Sequence, residues 1–399
     1  MRLLYKDNIF LANYYDLSLQ IKKMMRFFIY VLFFVIINLF SCSPKAKKNA
    51  SGEAVRTLET LYAEGFVINY FDDYKEVVVK SPWAKDQVMA RYYLVNDKKT
   101  TVPQGGQKIV VPLKSLGVGS CTYFEFLRML NEVQSITGIC SPELVYNADI
   151  TDRYKKGELT NLGEAFMLNF ERLLLLRPNA LMVSGFNQMN EQDNRIIQAG
   201  IPIIYNNEWT EQSLLARAEW IKFVAVFYDK EHKADSIFTV IESNYNTIKE
   251  IAQQVATKPT VLSGSNFKGT WYMPGGKNYM GQLFADAGAD YFYKNNSENT
   301  SLPLSFEMVL KEFQNADYWI GCGMDNMKEL LNSDERYALF KAAQTGNVFN
   351  FNNRTTPTGG NDFWESAVAR PDLILSDLIK VLHLELLPDY ELVYMKKVE

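Results

Sequence analysis

The chain is expected to fold as an α/β protein: two Rossmann-like α/β lobes bridged by a long helix, with an N-terminal antiparallel β segment. Three features lead there. Residues 168–185, LNFERLLLLRPNALMVSG, are matched by residues 304–321, LSFEMVLKEFQNADYWIG. In that register Phe170 lies over Phe306, Glu171 over Glu307, Leu174 over Leu310, Ala180 over Ala316 and Gly185 over Gly321. Each copy reads as a short helix followed by an apolar strand ending in Gly. Strands and helices alternate around both copies, the order of a parallel sheet with crossover helices. Between the copies, residues 207–256 contain no Pro or Gly and repeat apolar residues at helical spacing. At 399 residues the chain also exceeds the size at which one hydrophobic core keeps growing.

The N-terminal region reads as a leader. Lys22, Lys23 and Arg26 precede FFIYVLFFVII, an apolar run from Phe27 to Ile37. That run is short for a bilayer span, which takes about 20 residues, and suits a secretory signal. Leu39-Phe40-Ser41-Cys42 has the form of a bacterial lipobox, with Cys42 as the lipidated residue. Apart from Lys22 and Lys23, residues 1–23 fit no part of a signal, so Met24 or Met25 is a more natural start than Met1. Residues 1–41 are therefore set apart as an upstream segment and lipoprotein signal, and 42–58, SPKAKKNASGEA and its flanks, as a flexible tether. The N-terminal lobe is assigned to 59–206, the connecting helix to 207–256 and the C-terminal lobe to 257–399.

Along the folded part, FVINYFDDYKEVVVK, QVMARYYLV and QKIVVPL are β-branched and aromatic runs separated by turn residues, an antiparallel meander. IVVPL then leads into the turn GVGSC, an apolar-rich helix TYFEFLRMLN and a short strand SITGI. A polar loop runs from Cys140 to about Met167. The first copy of the doubled phrase follows, then the helix NEQDNRIIQAG and the strand IPIIYN. In the connecting segment Trp220, Phe223, Val224 and Phe227, then Ile237, Ile241, Ile248 and Ile251, mark a buried stripe, and Lys258-Pro259 ends it. Beyond it come the strand PTVLSG, the loop SNFKGTWYMPGGKN, the helix YMGQLFADAGA and the strand DYFY. The second copy, the helix ERYALFKAAQTG, the strand VFNFNN and a closing helix at PDLILSDLIKVLH complete the second lobe.

Open α/β sheets bind ligands outside the carboxyl ends of their strands. Two facing lobes would enclose a cleft walled by the post-strand loops, which carry Tyr123, Tyr146, Phe186, Trp271, Tyr272, Arg354, Phe363 and Trp364. Rings, amides and one Arg suit a bulky, partly apolar ligand with peripheral carboxylates or carbonyls. Several of these rings are equally suited to core packing, Trp364 under the last helix among them. Other function classes fit less well. A net charge of −4 gives no reason to expect nucleic acid as a partner. A bare-metal carrier needs converging imidazoles, whereas the two histidines, His232 and His383, fall on the connecting segment and after the last helix. Neither a nucleophile motif nor a phosphate loop is present, and Asp149, Asp152 and Asp362 near the cleft lack a nucleophile or His beside them. Neither an enzyme nor a cofactor is expected. Cys121, Cys140 and Cys322 are odd in number, so not all can pair; Cys121 and Cys140 are a possible pair, and buried thiols the simpler reading.

The lipobox, the strand leading to GSCTYFEFL, the paired Phe-Glu helices, the long connecting helix, GTWYMPGGKNY, DAGADY and NDFWESAVARPDLIL together resemble the periplasmic substrate-binding proteins of ABC importers for ferric siderophores, haem and vitamin B12. The resemblance covers about residues 60–395. It implies a cleft for a ferric siderophore, haem or cobalamin and little domain closure. It also implies an exposed Glu on each lobe that docks on a permease dimer in the inner membrane. Glu171 and Glu307 match those acids, and a two-fold partner explains why the phrase occurs twice. Helix capping by Asn169 and Ser305 would favour a first-turn Glu independently. The loops ahead of the two acids, GEAFML and NTSLPLS, carry Phe166 as their only ring, where B12-binding members carry Trp, which weakens cobalamin as the ligand. Phe166 joins the candidate ligand contacts. The expectation is a monomeric periplasmic lipoprotein, held to a membrane by its lipid, that delivers a metal chelate. A lipid-anchored scavenger or sensor without a permease is the alternative.

Overall fold

In the computed structural model, which describes residues 53–187 and 191–399, alternating side chains build the first sheet. Strands β1 (Arg56–Leu58), β2 (Phe66–Tyr70), β3 (Lys75–Lys80) and β4 (Val88–Val95) pair antiparallel in sequence order. Phe66, Ile68, Val77, Val79 and Tyr92 form its buried face. Strand β5 (Gln107–Val110) departs from the expected meander, because it joins β4 in parallel. Residues 96–106 are long enough to carry the chain back along the sheet first. The leader, Cys42 and most of the tether lie outside the described residues.

The N-terminal lobe holds β6 (Leu116–Val118), β7 (Ile136–Ile139), β8 (Thr160–Asn161), the hairpin β9 (Gly163–Glu164) with β10 (Met167–Leu168), β11 (Ala180–Val183) and β12 (Ile203–Tyr205). A parallel sheet runs β12-β11-β6-β7-β8. Its central strands are apolar on both faces, as a sheet covered on both sides requires. The strand that feeds GSC is LGV; the IVVPL run ends β5 instead. Within the expected 140–167 loop lies a helix, Ala148–Lys155, started by Asn147 accepting from the Ile150 N–H at 3.2 Å.

The connecting segment is two helices, Leu214–Val226 and Glu231–Gln253, rather than one over 207–256. Residues 207–213 form a turn and loop ahead of Ser213, which caps the first helix. The break comes at Asp229, whose φ of 55° is left-handed and whose carboxylate pairs with Lys75 at 2.7 Å. Asp tolerates that conformation, so neither Gly nor Pro is needed. All 13 residues of the first helix are buried. Its charged side chains are matched: Glu219 accepts the N–H groups of Leu61, Tyr62 and Ala63 and pairs with Lys222, and Arg217 pairs with Glu208. Phe66 packs edge-on against Trp220 at 4.9 Å, which seats the first sheet on this helix.

The C-terminal lobe begins with β13 (Val261–Ser263). The segment expected as a loop, SNFKGTWYMPGGKN, forms instead the hairpin β14 (Asn266–Phe267) and β15 (Thr270–Pro274), joined by β16 (Ser301–Leu304). DYFY contributes one bridge, Asp290 to Thr260, rather than a strand. Tyr291 there is buried and donates to the Pro274 carbonyl at 2.6 Å. Strands β17 (Tyr318–Ile320) and β18 (Val348–Asn350) continue β13 in parallel, and β19 (Lys396–Lys397) closes the sheet antiparallel.

The doubled phrase occupies equivalent places. In β12-β11-β6 and in β18-β17-β13 the Phe-Glu helix leads into the middle strand. The two lobes meet along 362–369. Phe363 and Ala367 belong to the C-terminal core, while Val368 and Ala369 belong to the N-terminal one.

Candidate ligand-binding cleft and docking acids

Loops at the carboxyl ends of β13, β17 and β18 enclose a cavity of about 630 Å³, lined by Tyr279, Asp325, Asn350, Asn352, Phe363 and Trp364 among others. Phe363 stacks on Phe351 at 4.4 Å, and Trp364 stands edge-on to Phe363 at 4.9 Å with half its surface exposed. The short helix Asp362–Glu365 that carries both rings also touches the other lobe. The Cys121 thiol lies 3.7 Å from the Trp364 carbonyl, and the Glu365 carboxylate accepts the N–H groups of Tyr146 and Asn147 at 2.8 and 2.9 Å. This helix therefore fixes how the lobes face each other. A smaller cavity of about 270 Å³ behind it is lined by Glu125, Arg128, Tyr146, Arg354, Asp362 and Glu365. Burial pushes the Glu365 carboxyl up to about 7, and Asp362 and Glu125 add to that despite the two N–H donors.

The structure distributes the expected ligand contacts unevenly. Phe363 and Trp364 line the larger cavity, and Tyr146 and Arg354 the smaller one, where Arg354 pairs with Asp362 at 3.3 Å. Phe166 sits on the β9–β10 hairpin, 80% exposed. Tyr123 and Trp271 are core residues instead. The Tyr123 hydroxyl bonds Ser184 Oγ at 2.8 Å and the Asn206 carbonyl at 3.0 Å, and the Trp271 indole N–H bonds the Ser263 carbonyl at 2.7 Å. Both are fully buried: Tyr123 turns inward from the helical turn after β6, and Trp271 from strand β15 itself. Tyr272, next along β15, faces outward and borders neither cavity. The three described cysteines are unpaired, and burial pushes the Cys121 and Cys140 thiols up to about 12.

Glu171 and Glu307 are both exposed, each in the first turn of its helix, Phe170–Leu176 and Phe306–Phe313. Asn169 and Ser305 cap those helices through the N–H groups of Arg172 and Met308. Because each helix returns the chain from the carboxyl edge of its parallel sheet, both acids stand at the edge where the cleft loops lie. A third partner repeats as well: Arg195 lies 4.5 Å over the Phe170 ring and Arg336 4.0 Å over the Phe306 ring. Arg336 also approaches Glu307 at 3.8 Å. N–H and Ser305 hydroxyl donors hold the Glu307 carboxyl below its ordinary range, and Arg336 adds to this.

The periplasmic binding protein family profile matches residues 118–355. The chain belongs to that family. An uncharacterized lipoprotein of Methanocaldococcus jannaschii is 23% identical over 348 residues, 81% of this chain and 81% of its own length. The vitamin B12-binding protein of Vibrio parahaemolyticus is 24% identical over 191 residues, 42% of this chain and 68% of its own. Among solved structures, a periplasmic heme-binding protein from Pseudomonas aeruginosa shares the fold with a TM-score of 0.54 at 14% identity. That likeness covers 72% of this chain and 98% of the other. As a periplasmic binding protein the chain falls in a class of solute-binding rather than catalytic proteins.

The matched segment begins after the first sheet, and sequence reasoning missed what that sheet and β12 bring to the edge of the N-terminal lobe. Trp83, on the β3–β4 connection, lies 6.2 Å from Trp209, which follows β12; Trp209 lies 5.9 Å from Phe186, which follows β11. Trp209 sat inside what read as a helix, so its loop position was hidden. Among the described residues no helix is long and apolar enough to cross a membrane, and no cluster of three or more His, Cys, Asp or Glu side chains is placed to hold a metal ion.

Proposed function

We propose that this periplasmic binding protein is the substrate-binding lipoprotein of an ABC importer. It captures a ferric siderophore or a tetrapyrrole, haem or cobalamin, in the cleft between its lobes, and docks on a permease dimer through Glu171 and Glu307. The observation that carries the reading is the repeated Phe-Glu pair, each with an arginine over its ring, at the cleft edge of both lobes. Capping accounts for a first-turn Glu, but not for the same three-part arrangement twice. A two-fold receiver does account for it, and exposed acids steer its encounter. The cleft supports a chelate rather than a bare ion, since Phe363, Trp364 and Phe351 offer rings and Asn350 and Asn352 offer hydrogen bonds to its periphery. Phe166 as the only ring in the loops ahead of the acids favours an iron chelate or haem over cobalamin. Cys42 supplies the lipid that holds the chain at a membrane outside the cytoplasm.

Protein isolated from its native envelope should carry, by mass spectrometry, an organic chelate of iron or cobalt. A co-purifying sugar, amino acid or uncomplexed ion would contradict the proposal.

A further inference from the structure

We infer that the first sheet, which precedes the family-matched segment, completes the ligand wall: Trp83 joins Trp209, Phe186 and Phe166 in one aromatic row that binds a flat conjugated face of the ligand. The statement rests on the inter-lobe cleft being the ligand site. The four rings come from separate parts of the chain and touch in sequence, at centroid distances of 6.2, 5.9 and 5.6 Å. Phe166 is 80%, Phe186 45% and Trp209 40% exposed, and Trp83 is half-buried. Four large rings in contact yet facing solvent are unusual in a core and usual in a binding surface.

Their position is set by the sheet. Phe186 and Trp209 follow the carboxyl ends of β11 and β12, where ligands of such sheets lie. The β3–β4 connection is brought there by Met89, which fills the space beside Gly185 and lies 3.1 Å from the Asn207 amide. The loop that carries Trp209 is tied to the C-terminal lobe, where Gln282 donates to the Gln212 carbonyl at 3.0 Å. Rings offer no lone pair to a metal ion, so they recognise the organic periphery of a chelate. Stacking and edge contacts favour an aryl or macrocyclic π-face over an aliphatic one. The class is thus a tetrapyrrole or an aryl chelate such as a ferric tris-catecholate, rather than an aliphatic ferric hydroxamate.

The test titrates the full chain with iron protoporphyrin, a ferric tris-catecholate and a ferric trihydroxamate, following tryptophan quenching and equilibrium dialysis. The wild type should bind one of the first two at least tenfold more tightly than the hydroxamate. W83A and W209A should each weaken that binding about tenfold. W83F should stay within threefold of wild type, and Y272A should change nothing, with circular dichroism checking that each variant folds. Equal affinity in W83A and wild type, or preference for the hydroxamate, would overturn the aromatic row while leaving a chelate-binding cleft intact. No binding of any of the three would remove both.

Discussion

Gly185 and Gly321 hold the same place in the two copies and are glycine for different reasons. At Gly185 a Cβ would collide with Met89 Cε and come 2.8 Å from Asn207 Oδ1, so the constraint is space. At Gly321 the φ of +75° is left-handed, so the constraint is backbone conformation. Gly185→Ala should cost about 1–3 kcal/mol of overpacking, and Met89→Ala in the same chain should return part of it. Gly321→Ala should cost about 1–2 kcal/mol irrespective of Met89. Urea unfolding through two double-mutant cycles, each glycine against Met89, reads the coupling; equal coupling at both glycines would refute the distinction. The register of the copies was plain in the letters, but the two mechanisms were not, since one is a local φ and the other depends on a neighbour from elsewhere in the chain. Arg195 and Arg336 escaped notice for the same reason: they follow their Phe-Glu pairs at different offsets and on different elements.

Among elements, the Asp362–Glu365 helix does the most to hold the lobes in place. Its Glu365 carboxyl titrates at about 7, above its ordinary value near 4.5, so the folded state binds the proton more tightly than the unfolded chain does. Its contribution is therefore fully present below about pH 4.5 and is lost as pH rises through about 7, a change of up to about 3 kcal/mol. Subtracting the pH profile of E365Q from that of the wild type should leave a stability difference that falls across this window. A flat difference would mean that the carboxyl ionises in the folded protein as it does in water. Element types with strong periodicity were readable before any coordinates: the meander hairpins, both Phe-Glu helices and the closing helix Pro371–Leu382. Elements set by tertiary contacts were not. Asp229 breaks the connecting helix without a breaker residue, and the GTWYMP segment gains its strand partner from β16, far along the chain. Tyr123 read as a cleft residue because its place after a strand was legible and the direction of its ring was not, whereas Trp271 was assigned to a loop that is strand β15.

At the scale of the molecule, two similar lobes are seated on a buried helix and joined at 362–369. Each lobe puts one exposed acid and one ring-stacked arginine at the cleft edge. We propose that this pair of surfaces, and not either alone, engages an importer. In cells lacking their own copy of this protein, uptake of the bound chelate should be restored by the wild type and abolished by E171K with E307K, each single change being intermediate. The purified double variant should bind its chelate within about twofold of wild type, because neither acid lines a cleft cavity. Normal uptake by the double variant would contradict the claim.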